Sequence, residues 1–250
     1  MKIDIDFKNS FNVIAGPCAI ESYDSLYEIA NFLKGLGVAI IRGGSFKLRT
    51  SPNSFQGLGE EAIKYLVQVC KELGLASLTE VVEVKDLQNV FQDIDILMVG
   101  ARNMYNYPLL KELSTVNKPI ILKRAMSATI DEWLSAAEYL QINGNDNIIL
   151  CERGIRTFET ATRNTLDLSA VPIVKNKSKY TIIVDPSHST GNSAYVPAMS
   201  MAAVASGADG LIIEIHKEPN MALSDAKQLL DFDSFRELYK SIISLKKHIR

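Results

Sequence analysis

Eight short, nearly all-apolar runs, each followed by a polar loop and then by a stretch with helical spacing, constrain this chain more than any other feature. They are NVIAG (12–16), VAIIR (38–42), LASLT (75–79), DILMV (95–99), PIILK (119–123), NIILC (147–151), TIIVD (181–185) and GLIIE (210–214). A strand that is apolar on both faces must be covered on both, the condition of a parallel sheet lying among helices. Between the first two runs Leu26, Ile29, Ala30 and Leu33 fall at i, i+3, i+4 and i+7, and Gly35 and Gly37 supply a stop. Similar helical stretches run from Ala62 to Leu73, Ile130 to Leu140 and Val196 to Ser206. Eight strand–helix units in 250 residues predict an α/β fold, a single closed (β/α)8 TIM barrel over 1–250, ahead of an open doubly wound sheet. The leading KIDIDF predicts a short N-terminal extra strand over the barrel floor. No Gly/Ser-rich or Pro-rich linker interrupts the pattern, so one catalytic domain without an appended regulatory domain is expected.

Composition excludes more than it selects. A hydrophobic content of 47% with 22% charged residues is that of an ordinary globular core. The formal charge of −2 gives no global attraction to nucleic acid or to an anionic membrane, and no stretch is apolar enough to span one. Three scattered cysteines, Cys18, Cys70 and Cys151, make no disulfide framework, and the N-terminus lacks the apolar core of a secretory signal. A reducing cytoplasm is the expected compartment.

In a barrel of this kind the loops after the strands' C-terminal ends build the site, and here those positions are rich in reactive groups. One subset is cationic: Arg42, Lys47, Arg49, Arg102, Lys123 and Arg153. So many like charges at one mouth repel unless anions sit among them, which implies a small, multiply negative substrate. A second subset, Cys18, His188, Glu214 and Asp225, offers a thiolate, an imidazole and two carboxylates to one divalent ion such as Mn, Fe, Co or Zn. On spacing alone the alternatives stay open: Cys18 as a small core residue, and His216 as a competing ligand on the strand of Glu214. Cys70 and Cys151 read as packing residues, and His248 as a solvated one. KLRTSP (47–52) reads as a phosphate loop and HSTG (188–191) as the approach to a phosphate-binding helix N-terminus, with a plain capped loop as the alternative for either.

The blocks IAGPCAIES, RGGSFKLRTSP, SFQGLGEE, VGARNM, ILKRAMSAT, CERGIRTFE, VDPSHSTG, IIEIHKEP and ALSDAKQ together resemble the 3-deoxy-D-arabino-heptulosonate 7-phosphate (DAHP) synthases, of the subtype related to the 3-deoxy-octulosonate 8-phosphate synthases. The resemblance implies a metal-dependent barrel enzyme that condenses phosphoenolpyruvate with erythrose 4-phosphate, the first step of the shikimate pathway. It implies that Cys18, His188, Glu214 and Asp225 hold the metal. It also implies that Arg42, Lys47, Ala101, Arg102, Lys123 and Arg153 surround phosphoenolpyruvate, and that Arg49, Thr50 and Ser51 receive the phosphate of the aldose. Lys123 is the expected proton-transfer group, with His188 and Cys18 as the other catalytic residues, and a homodimer or homotetramer the expected assembly. Leu48, Ser189 and Ala125 depart from the family's usual Pro, Gly and Gly, and losing the Pro frees one φ angle beside Lys47 and Arg49. Two alternatives remain at this level: a sister enzyme acting on arabinose 5-phosphate, disfavoured by KLRTS in the second loop, and a non-catalytic barrel that binds a phosphorylated metabolite.

Overall fold

The computed structural model describes residues 5–47, 53–84 and 91–249. Eight parallel strands close on themselves in sequence order: β1 (Asn12–Gly16), β2 (Ile40–Arg42), β3 (Ala76–Val81), β4 (Ile96–Val99), β5 (Ile120–Lys123), β6 (Ile148–Glu152), β7 (Thr181–Val184) and β8 (Gly210–Glu214). β1 pairs with both β2 and β8, and its register sets Gly16 opposite Glu214. Lys123 lies opposite Cys151 and Glu152 opposite Val184, so the charged ends of the strands stand level at one rim.

The helices follow from local signals. α1 (Tyr23–Gly35) starts at Ser22, whose side chain accepts from the Ser25 amide, and buries Leu26, Ile29, Ala30 and Leu33 as the spacing predicts. α2 (Glu60–Leu73) stops at Gly74 in the left-handed conformation. α3 (Tyr107–Leu113) and α4 (Ile130–Gln141) follow β4 and β5, α4 opening on a reciprocal capping box between Thr129 and Glu132. α5 (Ala170–Lys177), the short α6 (Pro186–Thr190), α7 (Val196–Ala205) and α8 (Phe232–His248) complete the described helices. β2 begins two residues later than its apolar run because the Val38 amide is used to close α1, bonding the Leu33 carbonyl at 3.1 Å.

Two apolar layers result. One fills the space between barrel and helices, with Trp133, Phe91 and Phe235 fully buried. The other fills the barrel itself with Ile14, Ile40, Leu78, Ile96, Met98, Ile121, Ile149, Ile183 and Ile212, closed below by Phe7. Of the predicted extra strand, residues 1–4 lie outside the described residues and Ile5 to Phe7 form no strand. The floor is nevertheless plugged by that segment through Phe7. Cys70 and Cys151 are buried packing residues, and His248 is exposed. Among the described residues no helix is long and apolar enough to cross a membrane.

Candidate active site

The C-terminal ends of β1 and β2 approach so closely that a Cβ on Gly16 would stand 2.0 Å from the Arg42 carbonyl oxygen. Only glycine fits there. The chain then turns through Pro17 and brings Cys18 over the mouth, where its thiol faces loops that arrive from β7 and β8. Ligand atoms of Cys18, His188, Glu214 and Asp225 all lie within 4.8 Å of one another. The thiol donates to Asp225 Oδ2 at 3.1 Å, Ser224 Oγ is 3.0 Å from the same sulfur, and His188 Nε2 is 3.5 Å from Glu214 Oε1. Burial, assisted by Glu214, pushes the thiol of Cys18 up to about 11. Burial would also raise Glu214, yet His188 and Arg42 beside it hold its carboxyl well below the usual range. A soft donor, an imidazole and two carboxylates converging this tightly suit a borderline divalent ion.

Each of these groups is braced. Arg42, 2% exposed, donates to Glu214 and to the Pro17 carbonyl, at 3.0 Å for the latter. Gln228 Nε2 donates to the other oxygen of Glu214 at 2.5 Å, and the Ser187 hydroxyl accepts from the Glu214 amide at 3.0 Å. Asp185 serves two partners with one oxygen: Oδ2 accepts from Lys123 Nζ at 2.6 Å and from His188 Nδ1 at 2.8 Å. Its Oδ1 accepts from the His188 amide at 2.9 Å, capping α6. With Nδ1–H committed to Asp185, Nε2 is the nitrogen left to ligate, the arrangement by which a carboxylate orients a metal-binding histidine. His188 is neutral by preference, since burial outweighs Asp185 and Glu214 and lowers it. HSTG therefore forms the last turn of α6 with its glycine as C-cap, not the approach to a helix.

Beside the quartet opens a cavity of about 300 Å³. Six cations line it, Lys47, Arg102, Lys123, Arg153, Arg156 and Arg163, against the carboxylates of Glu80 and Asp225. Arg163 reaches Asp225 at 3.6 Å and Gln228 at 2.9 Å. Among the described residues Lys47, Arg102, Arg153 and Arg156 make no ion pair, while Arg153, 5% exposed, is fixed by bonds to the carbonyls of Gly154 and His188. Burial lowers the pKa of Arg153, the signature of a cation held out of water without a full counter-charge. Gly100 makes room at this wall, because a Cβ there would lie 2.0 Å from Glu80 Oε1.

Of the residues predicted for phosphoenolpyruvate, Lys47, Ala101, Arg102, Lys123 and Arg153 line this cavity, whereas Arg42 is buried beneath it against Glu214. Arg49, Thr50 and Ser51, with Leu48, lie outside the described residues. His216 does not join the quartet: its Nδ1 accepts from the Glu218 amide at 3.0 Å. Asp185, Arg163, Ser224 and Gln228 have structural positions in the site that the sequence did not assign them. Asp185 had one usable signal, an acid between a buried strand and a helix start, which equally describes an ordinary cap.

A protein-family model described as the DAHP synthetase I family matches residues 3–250. The chain is 52% identical over 235 residues to the phospho-2-dehydro-3-deoxyheptonate aldolase of Thermotoga maritima, spanning 94% of this chain and 70% of that protein. It is 30% identical over 260 residues to the 2-dehydro-3-deoxyphosphooctonate aldolase of Syntrophobacter fumaroxidans, spanning 97% of this chain and 89% of that one. The crystal structure of the Thermotoga maritima DAHP synthase matches with a TM-score of 0.93 at 51% identity, covering 96% of this chain and 70% of that chain. A truncated form of the Thermotoga maritima synthase gives a TM-score of 0.89 at 47% identity, over 96% and 87% of the two chains.

Proposed function

The chain belongs to the DAHP synthetase I family, and on that premise we propose that Cys18, His188, Glu214 and Asp225 hold a divalent ion beside the cationic cavity in which its two substrates meet. The reaction is the condensation of phosphoenolpyruvate with erythrose 4-phosphate to give DAHP and inorganic phosphate, the first step of the shikimate pathway. The family is metal-dependent. The donor set fits such an ion: one thiol, one imidazole with Nε2 uncommitted, and two carboxylates, their ligand atoms within 4.8 Å. Mn, Fe, Co and Zn all suit these donors. The observation that supports the whole reading is the adjacency of this quartet to a cavity lined by six cations, of which Lys47, Arg102, Arg153 and Arg156 make no ion pair among the described residues.

When bound, the ion supplies Lewis-acid polarisation of the aldehyde carbonyl oxygen. Lys47, Arg102 and Arg153 take the phosphate and carboxylate of phosphoenolpyruvate, and Arg49, Thr50 and Ser51 take the phosphate of the aldose. Binding both anions against one cationic surface offsets their mutual repulsion and converts a bimolecular step into a positioned one. The enol carbon then attacks the aldehyde carbon, water adds at C2 of the former phosphoenolpyruvate, and phosphate leaves by C–O cleavage. Asp185 keeps Lys123 protonated and aimed at the mouth, from which Nζ delivers a proton to the aldehyde oxygen as it becomes a hydroxyl. Arg42 holds Glu214 ionised.

Phosphate release measured with phosphoenolpyruvate and each aldose phosphate tests this. Turnover with erythrose 4-phosphate, abolished by chelator and restored by added metal, is expected. Preference for arabinose 5-phosphate, or turnover indifferent to chelator, would contradict it. The proposal extends to a homodimer or homotetramer in the cytoplasm, supported for the compartment by three free cysteines, and sedimentation of the purified protein tests the assembly.

A further inference from the structure

Cys18 and Asp225 are 207 residues apart in the chain, yet their side chains touch. Something must hold the loop after β8 onto the loop after β1. Packing holds the later part of that segment, where Gln228, Leu229 and Leu230 are buried, but not the part before Ser224, where Met221 and Leu223 are 70% and 57% exposed. The segment is also in an uncommon conformation. Asp225 has φ 53 and ψ 33, and it is the one non-glycine residue with positive φ among the described residues. Such a backbone persists when its surroundings over-determine it.

On the site's side the segment is tied by Cys18 to Ser224 and Asp225 and by Arg163 to Asp225 and Gln228; on its outer side it is tied by one further side chain. Glu21 lies three residues after Cys18, just before the cap of α1, and its Oε1 accepts from the Leu223 amide at 2.7 Å. Its Oε2 faces His216 Nε2 at 3.7 Å. That imidazole is 7% exposed, and its Nδ1 is occupied by the Glu218 amide, which leaves the proton on Nε2. Nε2 is buried with no hydrogen-bond partner among the described residues, so the Glu21 carboxylate is the group it faces. His216 is itself fixed, its amide bonding the Leu230 carbonyl at 3.0 Å. One carboxylate thus spans the Cys18 loop, the end of β8 and the Asp225 loop. It neither joins the quartet nor lines the cavity.

We propose that Glu21 is a positioning residue of the metal centre, clamping the loop that carries Asp225 onto the loop that carries Cys18, with His216 as its buried counterpart. The inference rests on the reading that the quartet holds the ion. The clamp sets the spacing of the thiol and the Asp225 carboxylate before the ion arrives, so that binding does not have to order the loop. Partners that orient ligands in this way are worth about 10–100-fold in metal affinity.

The test is the rate at which Co²⁺-loaded protein gives up its ion to excess chelator, read together with the Co²⁺ absorption bands and the melting temperatures of loaded and metal-free protein. Glu21→Ala is expected to release the ion about 10–100-fold faster, with altered bands and a smaller gap between the two melting temperatures. Glu21→Gln, whose amide oxygen still accepts from Leu223, is expected to recover most of the wild-type rate. His216→Ala is expected to speed release by less than Glu21→Ala, and it keeps the test open should that variant fail to fold. Wild-type release from Glu21→Ala, or a parallel fall of both melting temperatures with unchanged release, would overturn the clamp alone. Wild-type protein that takes up no stoichiometric ion, or a Cys18→Ser variant that holds it equally well, would overturn the quartet reading and the clamp with it.

Discussion

At the floor of the barrel Phe7 closes an apolar stack of isoleucines, leucine and methionine from the strands. At the mouth, one short strand away, Arg42, Lys123, Arg153, Asp185 and Glu214 are buried as thoroughly as that core. The floor gains from every group it buries. The mouth loses solvation for each charge and recovers it partly through pairs, Arg42 with Glu214 and Lys123 with Asp185, and in the case of Arg153 through carbonyls alone. The difference shows where this fold keeps its stability and where it has given stability up for chemistry.

Substitutions on the two sides should therefore separate kinetics from folding. The largest kinetic effect is expected for Lys123→Met, with kcat lowered about 10²–10⁴-fold while the ion is retained, since Lys123 reaches the quartet only through Asp185; steady-state rates and metal content check both halves. At the floor, Ile121→Ala removes a fully buried side chain and should cost about 2–5 kcal/mol in denaturant unfolding with little change in kcat/KM. Arg153→Met should lower kcat/KM for phosphoenolpyruvate about 100-fold, or 2–3 kcal/mol, yet leave the substrate-free protein as stable as wild type or more so. If that variant melted well below wild type, the contrast between mouth and floor would fail.

The smallest effect is graded with pH. Ligation needs the thiolate of Cys18, whose pKa stands at about 11 in the metal-free protein, so binding at neutral pH expels a proton. Affinity should then rise about tenfold per pH unit from neutrality toward that value. His188, lowered by burial, is already neutral there and adds no slope. Isothermal titration across pH checks the gradient, and Cys18→Ser should flatten it.

How much of this was legible in the sequence depended on how local the cause was. Burial on both faces leaves an apolar run that needs no partner to be seen, so all eight strands were placed, with ends off by one or two residues: α1 claims Val38, while β3 runs on to Val81 and β6 to Glu152. Cations and ligands at strand ends were visible as residue types. Their partners were not. Arg42 and Glu214 are 172 residues apart, and Lys123 and Asp185 are 62 apart, so only closure of the barrel joins them. Asp185 and Glu21 each stand beside a helix start, and in sequence a brace for a ligand looks the same as a cap. His216 and Glu214 share a strand end, and what separates their roles is a single backbone amide, that of Glu218.

X-ray absorption at the metal edge of protein loaded with one equivalent of Co²⁺ or Zn²⁺ addresses the central claim most directly. A Cys18 thiolate predicts one sulfur neighbour at about 2.3 Å, the distance ordinary for zinc, accompanied by nitrogen and oxygen, and the loss of that sulfur in Cys18→Ser. A shell of nitrogen and oxygen only in the wild type would place the ion elsewhere and contradict the account.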